Sequence, residues 1–239
     1  MNQTINFQPH NIFMGTRALP CPYIEGRVER KVVTDLVTPN GAELYENLSR
    51  AGFRRSHSLA YRPACPDCNA CVPARIRVED FEWTRSFRRL VRKNSDLTVL
   101  DVKGRATEEQ YFLFTRYQRS RHADGEMANM NFGNFKAMIE DSPIDTRIIE
   151  FRNNNETLVG SMLADRQVDA LSAVYSLFDP DCDKRSLGTY MVLWLVREAI
   201  KNKLSYVYLG YWIKESQKMA YKARFRPLEG LTSDGWKTI

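Results

Sequence analysis

Apolar residues recur along the chain with two different periods, and each period predicts a different kind of element. A spacing of three and four residues predicts helices, whereas alternation or a short apolar run predicts strands. The predicted helices are 41–51, a short one around Phe87, 108–121, 135–140, 187–201 and 216–223. The predicted strands are 31–36, 57–61, 74–78, 97–102, 147–151, 158–164, 170–178 and 206–209. This order predicts an α+β (α/β layered) fold, in which a mixed sheet has helices on both sides.

The polar segment 103–107 interrupts the pattern, so we expect two domains, 1–102 and 103–239. A chain of 239 residues is long enough for both to bury a core. No apolar run approaches the roughly 18 residues of a membrane span, and the first residues lack the charged start and apolar core of a secretion signal. We therefore expect a cytoplasmic protein without a membrane partner, whose five cysteines stay reduced.

Positive charge is concentrated in one stretch of the sequence. Residues 50–93 contain eleven Lys and Arg against four Asp and Glu, a net charge of +7, whereas the whole chain carries +6. Within that stretch Phe87, Leu90 and Val91 lie at helical spacing, which predicts a basic helix with its arginines on the opposite, wet face: Arg88, Arg89 and Arg92. Such a face fits a nucleic-acid backbone or is simply solvated.

Three cysteines, Cys65, Cys68 and Cys71, are separated by two residues each. This spacing brings thiolates around one ion, and Cys21 is the candidate for the fourth ligand, ahead of Cys182 and His57. Four thiolates suit either zinc or an iron–sulfur cluster. The alternative is a tight loop of reduced cysteines without metal.

Two further motifs each have a functional and a structural interpretation. Segment 179–190 contains Arg185 and Gly188 before a predicted helix, so its backbone N–H groups suit an anion or oxyanion, although Asp-Pro-Asp is also an ordinary turn. Tyr211 and Trp212 follow a strand and a glycine. They could stack on an adenine, or they could be a buried aromatic pair.

These segments together resemble the bacterial aminoacyl-tRNA–protein transferases. The resemblance extends over residues 21–229, with the aspartate/glutamate leucyltransferases as the nearest branch and the arginyl-tRNA–protein transferases as relatives. The segments that carry it are 53–56, 61–75, 121–127, 172–181, 185–190 and 208–213.

The resemblance implies an N-terminal cysteine-motif domain and a C-terminal domain like the GCN5-related acetyltransferases. It also implies transfer of leucine from leucyl-tRNA to proteins that begin with Asp or Glu, which creates an N-degron for the N-end rule pathway. No cofactor is required for the transfer itself. Transfer of arginine is the alternative within the family.

Such a reaction needs a proton acceptor, a cation for the substrate carboxylate, and donors for the oxyanion. The candidate proton acceptors are Tyr175, Asp179 and Glu215. The candidate substrate-binding residues are Arg55, Arg185, Gly188, Tyr211 and Trp212. Each of the proton acceptors could instead hold a turn by a hydrogen bond.

Two other classes of protein remain possible from the residues alone. A metal-containing nucleic-acid-binding module would explain the cysteines and the basic stretch, but not the C-terminal sheet. An acetyl-CoA N-acetyltransferase would explain the turn, but Tyr190 stands where its phosphate loop has a second small residue.

Overall fold

The computed structural model describes residues 12–123 and 125–239. Residues 1–11, over which we expect no secretion signal, and Asp124, in the loop after the predicted helix 108–121, lie outside the described residues. Within the described ranges, no helix is both long enough and apolar enough to cross a membrane.

The first part of the chain forms a small antiparallel sheet, a short hairpin and two helices. Its elements are β1 (Met14–Gly15), β2 (Leu19–Pro20), β3 (Val28–Glu29), β4 (Lys31–Asp35), α1 (Gly41–Arg50), β5 (Arg54–Ser56), β6 (Leu59–Pro63), β7 (Val72–Arg77) and α2 (Arg85–Lys93). The small sheet has the order β1-β4-β6-β5, and β2 pairs with β3. Leu36, Tyr45 and Leu48 pack between this sheet and α1.

The rest of the chain supplies most of a larger sheet. Its elements are β8 (Thr98–Lys103), α3 (Glu108–Arg121), α4 (Phe132–Glu140), β9 (Thr146–Arg152), β10 (Leu158–Arg166), β11 (Ala170–Phe178), α5 (Leu187–Lys201), β12 (Tyr206–Trp212), α6 (Gln217–Ala220), β13 (Leu228–Thr232) and β14 (Gly235–Thr238). Single 3-10 turns occupy Glu126–Asn129, Pro180–Arg185 and Tyr221–Arg224. The sheet has the order β14-β13-β7-β12-β11-β10-β9-β8. Among its neighbours β11 and β12 are parallel, and the other pairs are antiparallel.

Two hydrophobic cores cover the larger sheet, because its strands are apolar on both faces. One core contains Phe87 of α2 and the buried side of α5, packed on strands such as β7 and β12. The other contains Phe114 of α3 and Phe135 of α4, packed on β9, β10 and β11. The predicted α+β fold with a mixed sheet between helices is therefore confirmed.

Residues on both sides of position 102 belong to the larger sheet. β8 extends across the predicted boundary, and β7 lies inside the sheet between β12 and β13. An ion pair between Arg55 and Asp165 joins the small sheet to the larger one, and both side chains are 0% exposed. The division into 1–102 and 103–239 stays a prediction, and it separates strands that are hydrogen-bonded to each other.

The last part of the chain differs from the sequence prediction. The predicted helix 216–223 is a four-residue helix, α6, followed by a 3-10 turn. The hairpin of β13 and β14 was not predicted, because both strands are short and β13 contains Gly230. The Asp234-Gly235 pair at its turn was the available signal.

Candidate functional site

β11 and β12 separate near the middle of the larger sheet. Their parallel pairing covers three positions, from Ala170 with Tyr206 to Ser172 with Tyr208. β11 then continues to Phe178 along β10, while β12 continues to Trp212 along β7. We call the space between 173–178 and 209–212 the strand gap. Because backbone N–H and C=O groups need partners, the two facing strand edges can hydrogen-bond a ligand.

A turn leads from the end of β11 into α5. The carboxylate of Asp179 accepts a hydrogen bond from the backbone N–H of Asp181 and forms an ion pair with Arg116, 3.0 Å away. Ser186 then has a left-handed φ of +50°, and Gly188 lies in the first turn of α5. The start of α5 therefore offers unpaired N–H groups and the positive end of its dipole beside the gap.

Arg185, which we predicted to bind a substrate carboxylate, is bound to a carboxylate of the protein. Its guanidinium donates two hydrogen bonds to Asp96, at 2.9 and 2.7 Å. These hydrogen bonds lower the pKa of Asp96. Arg185 thus connects the turn to the segment after α2, and its charge is already balanced.

Arg55, the second cation predicted for the substrate, is not available either. Its guanidinium makes hydrogen bonds of 2.8 and 2.7 Å to Asp165 and one of 3.1 Å to Thr146. The pair is fully buried between the two sheets. The prediction that Arg55 contacts substrate does not fit this burial, and the reason is a partner 110 residues away in sequence.

The three candidate proton acceptors lie in different environments. Burial raises the pKa of Tyr175, whose hydroxyl oxygen accepts a 2.5 Å hydrogen bond from Gln118, so this phenol stays protonated. The carboxylate of Asp179 is occupied by Arg116. Glu215 is exposed after β12, on the side of the cysteine loop, where its charge acts on Cys68. The structure does not bring them together as one proton-accepting group.

Tyr211 and Trp212 differ in their contacts. Tyr211 is buried, and its hydroxyl donates to the carbonyl oxygens of Gly52 and Tyr61, each 3.1 Å away. This arrangement agrees with the structural interpretation of that tyrosine. Trp212 has a buried indole N–H that finds no acceptor among the described residues. An orphaned donor next to the strand gap is available to a ligand.

The sequence analysis missed two buried cations at the strand gap, Arg54 and Lys222. Arg54 donates to Ser172 Oγ at 3.0 Å and to the carbonyl oxygen of Ala173, where β11 leaves β12. Lys222 Nζ donates to the carbonyl oxygen of Tyr211 at 2.6 Å. Burial, together with the charge of Arg54, lowers the pKa of Lys222 to about 7. Arg54 lies inside the segment 53–56 that carries the resemblance, whereas Lys222 lies outside all of the quoted segments.

The four cysteines of the predicted metal site are neighbours, but they do not converge. Burial and the charges of Cys21, Cys65 and Cys68 raise the pKa of Cys71 to about 12. Cys68 accepts a 3.0 Å hydrogen bond from Arg27, and Cys65 Sγ lies 3.4 Å from the N–H of Arg30. In the part of the chain that the structure describes, no three His, Cys, Asp or Glu side chains are arranged to hold a metal ion.

The two weaker candidates for the fourth ligand lie elsewhere. Cys182 is in the turn before α5, and His57 is in the turn between β5 and β6. Neither contributes to the raised pKa of Cys71.

Helix α2 presents a basic face, as predicted. Thr84 caps the helix by accepting the N–H of Phe87, which is buried on the inner side. Its outer arginines are exposed and have no carboxylate within 4.0 Å among the described residues: Arg85, Arg88, Arg89 and Arg92. Elsewhere in the predicted basic stretch, the positive side chains are largely paired or buried, as for Arg50, Arg55, Arg75 and Arg77.

The end of α2 is attached to the turn before α5. Lys93 Nζ donates to the carbonyl oxygen of Lys184, and Asn94 Nδ2 donates to that of Arg185 at 3.0 Å. The basic face of α2 therefore holds a fixed position relative to the N-terminus of α5 and the strand gap.

Two family models match the chain, and together they cover most strands of both the small sheet and the larger one. The family model of the arginine-tRNA-protein transferase N terminus matches residues 19–89, and that of the C terminus matches residues 109–232. The chain belongs to this family of aminoacyltransferases.

Curated relatives give a narrower similarity within the family. The chain is 57% identical over 230 residues to an aspartate/glutamate leucyltransferase of Paramagnetospirillum magneticum, with 96% of this chain and 94% of the relative covered. It is 50% identical over 239 residues to another of Granulibacter bethesdensis, with 100% and 90% covered. Among solved structures, L-PGS from Bacillus licheniformis has a TM-score of 0.48 at 9% identity and covers 76% of this chain and 52% of that one.

Proposed function

We propose that this chain transfers leucine from leucyl-tRNA to the α-amino group of proteins that begin with Asp or Glu. The similarity to leucyltransferases over nearly its whole length supports this activity. The product would carry a new N-terminal leucine and act as an N-degron in the N-end rule pathway, and the reaction would take place in the cytoplasm.

The basic face of α2 is the observation that carries the tRNA part of the proposal. Arginines without a carboxylate partner gain affinity for phosphates by releasing counterions from the nucleic acid. The attachment of α2 to Lys184 and Arg185 places this face next to the turn before α5. A tRNA acceptor end lying along α2 would therefore direct its 3′ end to the strand gap.

The chemistry is aminolysis of an ester that is already activated. The acceptor's α-amino group has a reference pKa of about 7.7 to 8.0, so it must lose a proton before it attacks the leucyl carbonyl. A C–N bond forms, the C–O bond to the tRNA ribose breaks, and the ribose hydroxyl takes up a proton. N–H groups at the start of α5 and along the gap would stabilise the oxyanion. No enzyme nucleophile is needed.

The cysteine loop would hold zinc or an iron–sulfur cluster only after a rearrangement. Burial and the neighbouring thiolates raise the pKa of Cys71, and a bound cation would oppose this effect, which favours metal. The separation of the four side chains does not favour it, since they do not surround a point. We assign the metal no step in the transfer.

Purified protein should be incubated with one labelled donor at a time, leucyl-tRNA, arginyl-tRNA or acetyl-CoA, and a peptide that begins with Asp. We expect the label in the peptide only with leucyl-tRNA, and none in a matched peptide that begins with Asn. Transfer from arginyl-tRNA instead would show that this chain has the arginine-transfer activity of the family. Tight tRNA binding without any transfer would indicate a binding module, and transfer from acetyl-CoA would refute the proposal.

A further inference from the structure

Four of the described Lys and Arg residues are, as whole residues, more than nine-tenths buried: Arg54, Arg55, Arg75 and Lys222. Arg55 and Arg75 form ion pairs with Asp165 and Glu229, each at 2.7 Å. Arg54 and Lys222 have no carboxylate within 4.0 Å in the described part of the chain. A buried cation without a counterion is destabilising, so two of them in one place need an explanation.

Arg54 and Lys222 interact electrostatically, and both lie at the strand gap. The charge of Arg54 is the one ionic influence on the Lys222 amine among the described residues. Arg54 is bonded to β11 at Ser172 and Ala173, while Lys222 is bonded to β12 at Tyr211. Both cations therefore lie at the strand gap, where the parallel pairing has just ended.

Among the described residues, the groups that contact the two cations are uncharged. Lys222 Nζ has the carbonyl oxygen of Tyr211 from β12 and the thioether of Met219 from α6, both uncharged. Gly210, with φ of +79°, lies against Arg54, and a Cβ there would lie 3.5 Å from its Nε. Donors exceed acceptors here, which is the composition of an anion site.

We propose that Arg54 and Lys222 bind the side-chain carboxylate of the acceptor's N-terminal Asp or Glu. This inference rests on the proposed function and adds the residues that select the substrate. Arg185 and Arg55 are already paired with Asp96 and Asp165, so the acceptor's charge needs other cations. A carboxylate between Arg54 and Lys222 supplies the missing counterion. The amide of Asn or Gln would leave both cations unpaired, which is how a buried ionic site rejects a neutral analogue.

Lys222→Met tests the site by removing the charge with little change in length. We expect the ratio of kcat/KM for an Asp peptide to that for an Asn peptide to fall about 10- to 100-fold. Leucyl-tRNA binding should stay unchanged, and Lys222→Arg should retain most of the Asp preference. Lys218→Met, at an exposed lysine of α6 four residues earlier in the sequence, is the matched control and should behave like the wild type.

Two results with these variants would overturn the proposal. One is an unchanged Asp-to-Asn ratio in folded Lys222→Met. The other is a loss of leucyl-tRNA binding as large as the loss of transfer, because that would assign the two cations to a tRNA phosphate. Wild-type protein that transfers leucine to no peptide would instead refute the proposed function and leave the binding measurement below as the test of the site.

A binding measurement on the wild type needs neither a variant nor catalysis. The probe is a succinyl peptide, which is an Asp peptide without its α-amine, and its neutral succinamyl analogue is the control. At pH 8 Lys222 is mostly uncharged, because its pKa is lowered to about 7. A bound carboxylate favours the charged amine, so calorimetry in two buffers should show uptake of close to one proton with the acid and none with the amide. Equal uptake, or no binding of the acid, would contradict the inference.

Discussion

Arg88→Gln, Arg89→Gln and Arg92→Gln together should weaken tRNA binding and change its dependence on salt. The three side chains are exposed on α2 and point away from the core that holds Phe87. If each contacts one phosphate, the slope of log affinity against log salt falls by about 2 to 3. Between 50 and 200 mM salt, the ratio of wild-type affinity to variant affinity then falls by about 16- to 64-fold.

The assay is fluorescence anisotropy with labelled leucyl-tRNA at four or five salt concentrations. A control variant with the same change in net charge combines Lys136→Gln, Lys201→Gln and Lys237→Gln, three exposed lysines that each pair with a carboxylate three or four residues away in sequence. We expect the control to keep the slope of the wild type. If both triple variants have the same slope, net charge rather than the face of α2 determines binding, and the placement of tRNA on α2 is wrong.

Three further predictions concern stability, selectivity and metal. Arg55→Met should lower the free energy of unfolding by about 3–5 kcal/mol in chemical denaturation, because it leaves Asp165 buried without its partner. Adding Asp165→Leu should restore much of this loss. A loss below about 1 kcal/mol in Arg55→Met would contradict the buried ion pair. Arg185→Gln should leave the Asp-to-Asn preference unchanged in the peptide assay, since Arg185 is bound to Asp96; a lost preference would move the selecting cation to Arg185. Cys71→Ser should lower the zinc or iron content of anaerobically purified protein, as measured by elemental analysis. Equal metal content in variant and wild type would exclude the cysteine loop as the metal site.

Elements determined by nearby residues were predicted well from the sequence. The bounds predicted for α3, 108–121, are those observed, because a capping box between Thr107 and Gln110 defines its start. The exposed face of α2 was also correct, since helical spacing alone places Phe87 inside and the arginines outside. Both depend on residues within one or two turns of each other.

Long-range pairing explains what the sequence did not reveal. Arg55 and Arg185 were reasonable candidates for a substrate carboxylate until the structure showed Asp165 and Asp96 bound to them. Lys222 was missed for the opposite reason, because only the folded chain shows it buried beside β12, with no carboxylate of the described residues within 4.0 Å. Whether a cation is free or paired depends on tertiary contacts, so the sequence could predict the chemistry of the site but not which side chains carry it.

The position of β7 inside the larger sheet has a consequence for synthesis on the ribosome. β7 ends at Arg77, yet both of its neighbours, β12 and β13, come from residues 206–232. During synthesis β7 therefore stays unpaired on both edges until almost all of the chain has emerged from the ribosome. Pairing over such sequence distances is slow, and unpaired strands are prone to aggregate. We expect nascent chains that end before residue 206 to be protease-sensitive and to depend on chaperones, whereas full-length chains become resistant soon after release.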